Sequence, residues 1–154
     1  MEGAGPNQSF SAWLASLGPG DEVGVGTPFG WFHPGRSAGE VWFATGTGVS
    51  PFVAALRSSL PVRPLALFVG VRGPDEAVMR PWIEERAPTR WAFSRSGEPG
   101  ETFRRVTEFA EEVPVGPGIR YFLCGNPRMI REVKALLKIR GIDPFQIHEE
   151  LFFQ

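Results

Sequence analysis

Five short apolar runs, separated by segments with helical spacing, constrain the fold of this 154-residue chain more than any other feature. Strands that are buried on both faces produce such runs, and their alternation with helices is typical of an α/β domain. The predicted strands are residues 40–44, 64–71, 89–94, 120–124 and 145–152. We therefore predict a five-stranded parallel sheet with helices on both faces.

The clearest predicted helix covers residues 127–140. Asn126 is a favourable N-cap, Pro127 suits the first turn, and Gly141 follows the last turn. Apolar residues recur along it at the spacing that places one face against a sheet, namely Met129, Ile130, Val133, Leu136 and Leu137. Three further helices are predicted to begin at Pro51, near Asp75 and near Thr102.

A glycine-containing turn follows the first predicted strand. Gly46 and Gly48 come directly after the apolar run 41–44, and Ser50 and Pro51 suit the cap and first turn of a helix. A helix start presents unpaired N–H groups and a partial positive charge, so a diphosphate can bind where no side chain blocks it. The hydroxyls available to phosphate or nicotinamide are those of Thr45, Thr47 and Ser50. The alternative is an ordinary strand-to-helix turn.

A second turn, residues 124–129, joins the fourth strand to helix 127–140. Open α/β sheets bind ligands outside the carboxyl ends of their strands, so this turn is expected to face the first across a crevice. Its predicted cofactor-binding residues are Gly125, Asn126, Pro127 and Met129. The two turns together indicate a Rossmann-like, dinucleotide-binding sheet. For Cys124 the alternative is a buried core cysteine.

Residues 1–36 have a different pattern. They predict a short helix over 9–17, a strand over 21–25 and a tight aromatic turn over 26–32. One helix and one or two strands are marginal without something to pack against. We therefore predict two parts, residues 1–36 and 37–154, with a linker around 33–39.

Composition excludes several classes of function. A formal net charge of −1 gives no reason to expect a nucleic acid or an anionic membrane as partner. Cys124 is the only cysteine, and no apolar run has the form of a signal peptide or the length of a membrane span, so we expect a cytoplasmic protein. His33 and His148 are too isolated to predict a metal site.

A series of ordered motifs resembles the ferredoxin-NADP reductase superfamily and covers nearly the whole chain. The motifs are residues 11–14 (SAWL), 20–23 (GDEV), 28–32 (PFGWF), 44–48 (ATGTG), 94–95 (SR), 124–127 (CGNP) and 147–152 (IHEELF). The resemblance implies a complete NAD(P)-binding α/β domain preceded by the end of an FAD-binding antiparallel barrel. It also implies electron transfer between NADPH and a one-electron carrier, such as ferredoxin or flavodoxin, through FAD.

The resemblance also implies roles for individual residues. Cys124 is expected beside the nicotinamide, and Glu150 and Phe152 are expected to approach the flavin and nicotinamide; Cys124 and Glu150 are the predicted catalytic residues. The predicted ligands of the 2′-phosphate are Ser94, Arg95 and Arg105. Arginine binds phosphate through planar, paired donors, and no acidic residue follows Ser94 until residue 98, so NADP(H) is favoured and NAD(H) is the alternative.

The greater part of the flavin barrel has no counterpart before residue 40, where neither Arg-x-Tyr-Ser nor Arg-x-Phe-Ser occurs. FAD is therefore expected only if a barrel is completed. The chain is a piece of a longer reductase, assembles with a separate barrel, or keeps nucleotide binding alone as a non-catalytic module. Without a barrel, aromatic residues would lose cover, which predicts self-association or a partner. These residues are Trp13, Phe29, Trp31, Phe32, Phe152 and Phe153.

Overall fold

The structure, a computed structural model, describes residues 9–27, 29–58, 63–95 and 104–151. The chain forms two compact units, Met1–Gly30 and Trp31–Gln154. Helix α1, Phe10–Ala15, lies in the first unit, and the Ser9 hydroxyl accepts a 3.2 Å hydrogen bond from the N–H of Ala12 at its start. The predicted strand over 21–25 was wrong, because the described residues of this unit contain no second strand with which it could pair.

Five parallel strands form the sheet of the second unit, as predicted. They are β1 (Glu40–Thr45), β2 (Ala66–Val71), β3 (Thr89–Phe93), β4 (Arg120–Gly125) and β5 (Ile147–Leu151), in the order β3-β2-β1-β4-β5. In register, Ala44 of β1 lies opposite Val69 of β2 and Cys124 of β4. The strand order reverses between β1 and β4, and a sheet of this kind opens a crevice at the carboxyl ends of the two strands that flank the reversal.

Helices cover both faces of the sheet. The α-helices of this unit are α2 (Ser50–Arg57), α3 (Arg80–Glu84) and α4 (Pro127–Ile139), and the 3-10 turns are Gly46–Val49, Pro74–Glu76, Val106–Glu111 and Pro144–Gln146. Phe52 of α2 and Ile83 of α3 pack in one buried cluster with Trp42. Phe109 of Val106–Glu111 and Val133 of α4 pack in another cluster on the opposite face. Each face therefore has its own core.

The predicted caps of α4 are confirmed. The side-chain oxygen of Asn126 accepts a 2.8 Å hydrogen bond from the N–H of Arg128, and Pro127 occupies the first turn. Gly141 follows the helix with a φ of +79°, a conformation that glycine adopts without strain. The predicted end at residue 140 differs by one residue, since Arg140 is the C-cap.

Other predicted boundaries were wrong. The fifth strand begins at Ile147 rather than residue 145, because the Asp143 carboxylate accepts a 2.9 Å hydrogen bond from the N–H of Phe145 and stabilises the turn Pro144–Gln146. The helix predicted near Asp75 is a 3-10 turn followed by the short α3. Thr102 lies outside the described residues, and Val106–Glu111 forms a 3-10 turn.

Glu40, the first residue of β1, has a fully buried carboxylate. It accepts hydrogen bonds from the N–H groups of Gly35, Arg36 and Ser37, at 2.6, 3.1 and 3.0 Å. The Ser37 hydroxyl and the Trp42 indole N–H donate two more, at 3.0 and 2.8 Å. Five donors satisfy the buried charge and fasten the predicted linker to the sheet. Residues 31–36 thus lie in the second unit, whereas the division into a barrel remnant and a nucleotide domain stays a prediction.

Candidate functional site

A cleft of about 1140 Å³ lies at the carboxyl ends of the central strands. Its described lining includes Thr45 after β1, Arg72 after β2, Ser94 after β3, and Gly125 at the end of β4. The two glycine-containing turns predicted to face each other across a crevice therefore line the same cleft. This is the position at which open α/β sheets bind their ligands.

The two glycines of the first turn have different roles. Gly46 is exposed with a φ of +53°, and a Cβ built on it would meet no atom within 4 Å, so this side of the turn is open to the cleft. Gly48 is buried, and a Cβ there would overlap the Cys124 carbonyl and lie 2.7 Å from the Cα of Gly125. Gly48 therefore allows the turn to pack against β4, a role that the sequence analysis did not give it.

Thr45 and the second turn are joined directly. The N–H of Asn126 donates a 2.8 Å hydrogen bond to the Thr45 hydroxyl. Gly125 has a φ of +128°, and a Cβ on it would overlap this same hydroxyl and lie 2.7 Å from the Thr45 carbonyl oxygen. The ends of β1 and β4 therefore approach each other more closely than any other residue at position 125 would allow.

The three hydroxyls predicted to face a phosphate differ in their hydrogen bonds. Ser50 is the first residue of α2 rather than its cap, because the 3-10 turn Gly46–Val49 precedes the helix, and its hydroxyl donates a 2.6 Å hydrogen bond to the Thr47 carbonyl. The Thr45 hydroxyl accepts from Asn126. The Thr47 hydroxyl makes no hydrogen bond to another described residue and lines the cleft. Pro51 lies in the first turn of α2, as predicted.

Four arginines line the described wall of the cleft, namely Arg72, Arg104, Arg105 and Arg128. Arg72 pairs with Glu76 at 2.8 Å, and Arg128 pairs with Glu132 at 2.7 Å. Arg104 donates to Glu112 at 2.5 Å, and this hydrogen bond is the main cause that raises the pKa of its guanidinium. The wall thus presents cations whose charges are largely balanced from within the chain.

Of the predicted 2′-phosphate ligands, the structure brings Ser94 and Arg105 to the cleft but not Arg95. The Ser94 hydroxyl donates to the Val71 carbonyl at 3.3 Å, and the N–H of Arg95 donates to the Arg72 carbonyl at 2.9 Å. Sequence reasoning missed Arg72. Its position directly after a predicted strand was the available signal, since the carboxyl ends of parallel strands meet at one edge of the sheet.

Comparison with known proteins agrees with this fold. The chain is 34% identical over 156 residues to the reductase subunit of an aromatic O-demethylase from Amycolatopsis sp., which covers 91% of this chain and 47% of that protein. It is 29% identical to ferredoxin-NADP reductase B of Sorangium cellulosum, over 92% of this chain and 66% of that protein. The chain belongs to the ferredoxin-NADP reductase superfamily. No protein-family model matches it.

Solved structures of this superfamily have the same fold. The crystal structure of an Amycolatopsis cytochrome P450 reductase is 30% identical with a TM-score of 0.73, over 92% of this chain and 47% of that one. The cytochrome b5 reductase domain of Ulva prolifera nitrate reductase is 22% identical with a TM-score of 0.75, over 93% of this chain and 64% of that one. The chain thus spans about half to two thirds of the length of these four proteins.

Two residues that the superfamily resemblance places at the redox centre, Cys124 and Glu150, do not line the cleft. Cys124 is fully buried in the cluster that contains Trp42 and Phe52, and burial, with a smaller effect of the Glu150 charge, raises the pKa of its thiol to about 12. Glu150 lies opposite Cys124 in register and is exposed. Phe152 lies outside the described residues. The roles of these three residues stay predictions.

The part of the chain that the structure describes contains neither a metal-binding cluster nor a membrane-spanning helix. No group of three or more His, Cys, Asp or Glu side chains there is arranged to hold a metal ion. In the same residues, no helix combines the length and the apolar character that crossing a membrane requires.

Proposed function

We propose that the cleft binds a pyridine dinucleotide, with NADP(H) preferred and NAD(H) as the alternative. The observation that carries the proposal is the pair of glycine-containing turns at the reversal of strand order. Gly46 leaves the turn before α2 open, and the N-terminal turns of α2 and α4 flank the same space. These are the features that allow a diphosphate to approach backbone N–H groups.

The arginines on the cleft wall support a phosphorylated ligand. Arg105 has a side chain that is 59% exposed and lies on the wall together with Ser94. We propose that these two residues bind the 2′-phosphate and that Arg72 adds a third contact on the same side. Arg95 belongs to the sequence motif for this phosphate, and we propose it as an outer ligand because its side chain is exposed but does not line the cleft.

We further propose that the chain is the NAD(P)H-binding part of a flavoprotein that moves electrons between NADPH and a one-electron carrier, such as ferredoxin or flavodoxin. Two similar proteins support this proposal, the reductase subunit of an aromatic O-demethylase and the electron transfer component of a toluate 1,2-dioxygenase. The chain's own residues would bind and orient the nucleotide. Cys124 and Glu150 are proposed to lie on the side of the nicotinamide.

FAD does not fit the described residues of this chain by themselves. Residues 9–27, 29 and 30 contain the six-residue α1 and no strand, so they supply no barrel that could hold a flavin. FAD is therefore proposed only where a barrel is completed, by further residues of a longer chain, by a partner or by a second copy. When bound, the flavin supplies the exchange between hydride and single electrons.

The lack of a flavin barrel in the described residues also favours a second candidate function, a non-catalytic nucleotide-binding or interaction module. An absorbance spectrum of the purified chain, before and after FAD and then NADPH are added, tests the reductase. Flavin bands that bleach with NADPH support it. Nucleotide affinity without retained flavin or turnover is the result expected of the module and also of a reductase part that lacks its barrel, and the absence of both flavin and nucleotide binding would contradict both.

A further inference from the structure

Glu132 of α4 lies between two arginines on the wall of the cleft. Its carboxylate is 2.7 Å from Nε of Arg128, one helical turn earlier, and 3.8 Å from Nη1 of Arg105, which precedes the turn Val106–Glu111. All three side chains line the cleft. One carboxylate therefore partly neutralises two guanidinium groups that come from different elements.

Arg105 is the most loosely held of the four cleft arginines in the described part of the chain. Arg72, Arg104 and Arg128 each have a carboxylate within 2.9 Å of a guanidinium nitrogen, whereas the closest one to Arg105 is that of Glu132 at 3.8 Å. Glu108 contacts the backbone N–H of Arg105, at 2.9 Å, but its ion pair is with Arg104. The Arg105 guanidinium is thus the one on this wall that is least tightly paired with a carboxylate of the chain.

We propose that Glu132 limits the selectivity of the cleft for a phosphate ester at Arg105. A phosphate that approaches Arg105 meets the Glu132 charge on the same side and must compete with it for both arginines. A ligand that lacks this phosphate does not meet the same repulsion. Glu132 therefore reduces the preference for NADP(H) over NAD(H), an inference that rests on the proposed nucleotide site.

The expected effect is modest because the pair is partly exposed. The Arg105 and Glu132 side chains are 59% and 35% exposed, so water screens their charges. A single ion pair of this kind changes an equilibrium about two- to fivefold. The effect of Glu132 is specific to the phosphate. It is therefore measured as the ratio of the Kd values of two ligands, one without and one with this phosphate, because changes that affect both ligands equally cancel in the ratio.

The test compares adenosine 2′,5′-bisphosphate with 5′-AMP, which lacks the 2′-phosphate, by calorimetric titration of the full chain at low salt. Glu132→Gln removes the charge and keeps the size of the side chain. Glu111→Gln is the matched control, since Glu111 is exposed and does not line the cleft. We expect the Kd ratio of 5′-AMP to bisphosphate to rise about two- to fivefold in Glu132→Gln only.

Arg105→Gln provides the second arm of the experiment. Arg105→Gln alone is expected to lower the Kd ratio of 5′-AMP to bisphosphate. Because the two residues are coupled, Glu132→Gln should raise this ratio less in the Arg105→Gln background than in the wild-type chain. Glu132→Ala replaces Glu132→Gln if the latter does not fold. An unchanged ratio with nucleotide binding intact would overturn the inference alone. Absence of NADP⁺ binding by the wild-type chain would overturn the proposed function, and the inference with it.

Discussion

The backbone N–H of Asn126 donates a 2.8 Å hydrogen bond to the Thr45 hydroxyl, which joins the carboxyl ends of β1 and β4 where the strand order reverses. Replacing Thr45 with Val keeps the shape of the side chain but leaves this N–H without its acceptor. We expect Thr45→Val to lower the free energy of unfolding by about 0.5–1.5 kcal/mol, because the N–H is exposed and water can replace the lost acceptor. Urea denaturation, followed by tryptophan fluorescence, measures this change.

Thr47→Val is the matched control for that variant. The Thr47 hydroxyl makes no hydrogen bond to a described residue, so its loss should change the free energy of unfolding by no more than about 0.5 kcal/mol. Equal destabilisation by the two variants would contradict the structural role of the Thr45 hydroxyl.

Gly48 and Gly46 should respond differently to alanine. The Cβ of Gly48→Ala would overlap the backbone of β4, and we expect a loss of at least about 3 kcal/mol. Gly46→Ala has open space but an unfavourable φ, so its expected cost is about 1–2 kcal/mol. Thermal and urea unfolding of the two variants provide the measurement, and a larger loss in Gly46→Ala would show that the turn packs otherwise.

The Cys124 thiol should be unreactive in the folded protein. Its pKa is raised from an ordinary value of 9.0 to about 12, so at pH 8 its thiolate fraction is about 1000-fold smaller than in the unfolded chain. We expect labelling by a chromogenic disulfide at pH 8 to be slower by at least that factor until urea is added. Folded and unfolded rates within tenfold of each other would contradict the burial of the thiol.

The raised pKa of the Cys124 thiol also predicts that the stability of the fold depends on pH. The folded protein retains the thiol proton at pH values where the unfolded chain has lost it, so the free energy of unfolding should decrease as pH rises from about 9 towards 12. Cys124→Ala lacks the titrating group and should show a smaller decrease over this range. Parallel curves for the two proteins would count against the shift.

The free energy of unfolding should depend strongly on the Glu40 carboxylate at the start of β1. Glu40→Gln replaces one carboxylate oxygen with an amide that cannot accept from the surrounding donors, and we expect a loss of about 2–4 kcal/mol. Glu84→Gln removes an exposed carboxylate that forms one surface ion pair and should cost less than about 1 kcal/mol. Urea unfolding curves compare the variants, and equal losses would contradict the anchoring role of Glu40.

Much of the sheet was predictable because β1, β2 and β4 are buried on both faces and therefore consist of apolar runs. The cap at Asn126 was predictable for a local reason, since the side chain and the N–H it binds are two residues apart. The strand predicted over 21–25 failed because a strand depends on a partner that the local sequence does not specify.

The candidate site was predictable in its position but not in its contacts. Gly48 was interpreted as clearing space for a ligand, whereas its neighbour is the backbone of β4, distant in sequence. The pairing of Arg105 with Glu132 and the burial of Glu40 under residues 35–37 also depend on tertiary structure. Sequence spacing gives no signal for contacts of this kind.

The central claim, that the two glycine-containing turns bind a pyridine dinucleotide, is tested most directly by titrating ¹⁵N-labelled protein with NADP⁺ and following the backbone amide resonances. The account predicts saturable shifts concentrated at residues 46–50, 125, 126 and 128, with further shifts at Ser94 and Arg105. No saturable shifts, or shifts confined to residues outside the cleft, would contradict it.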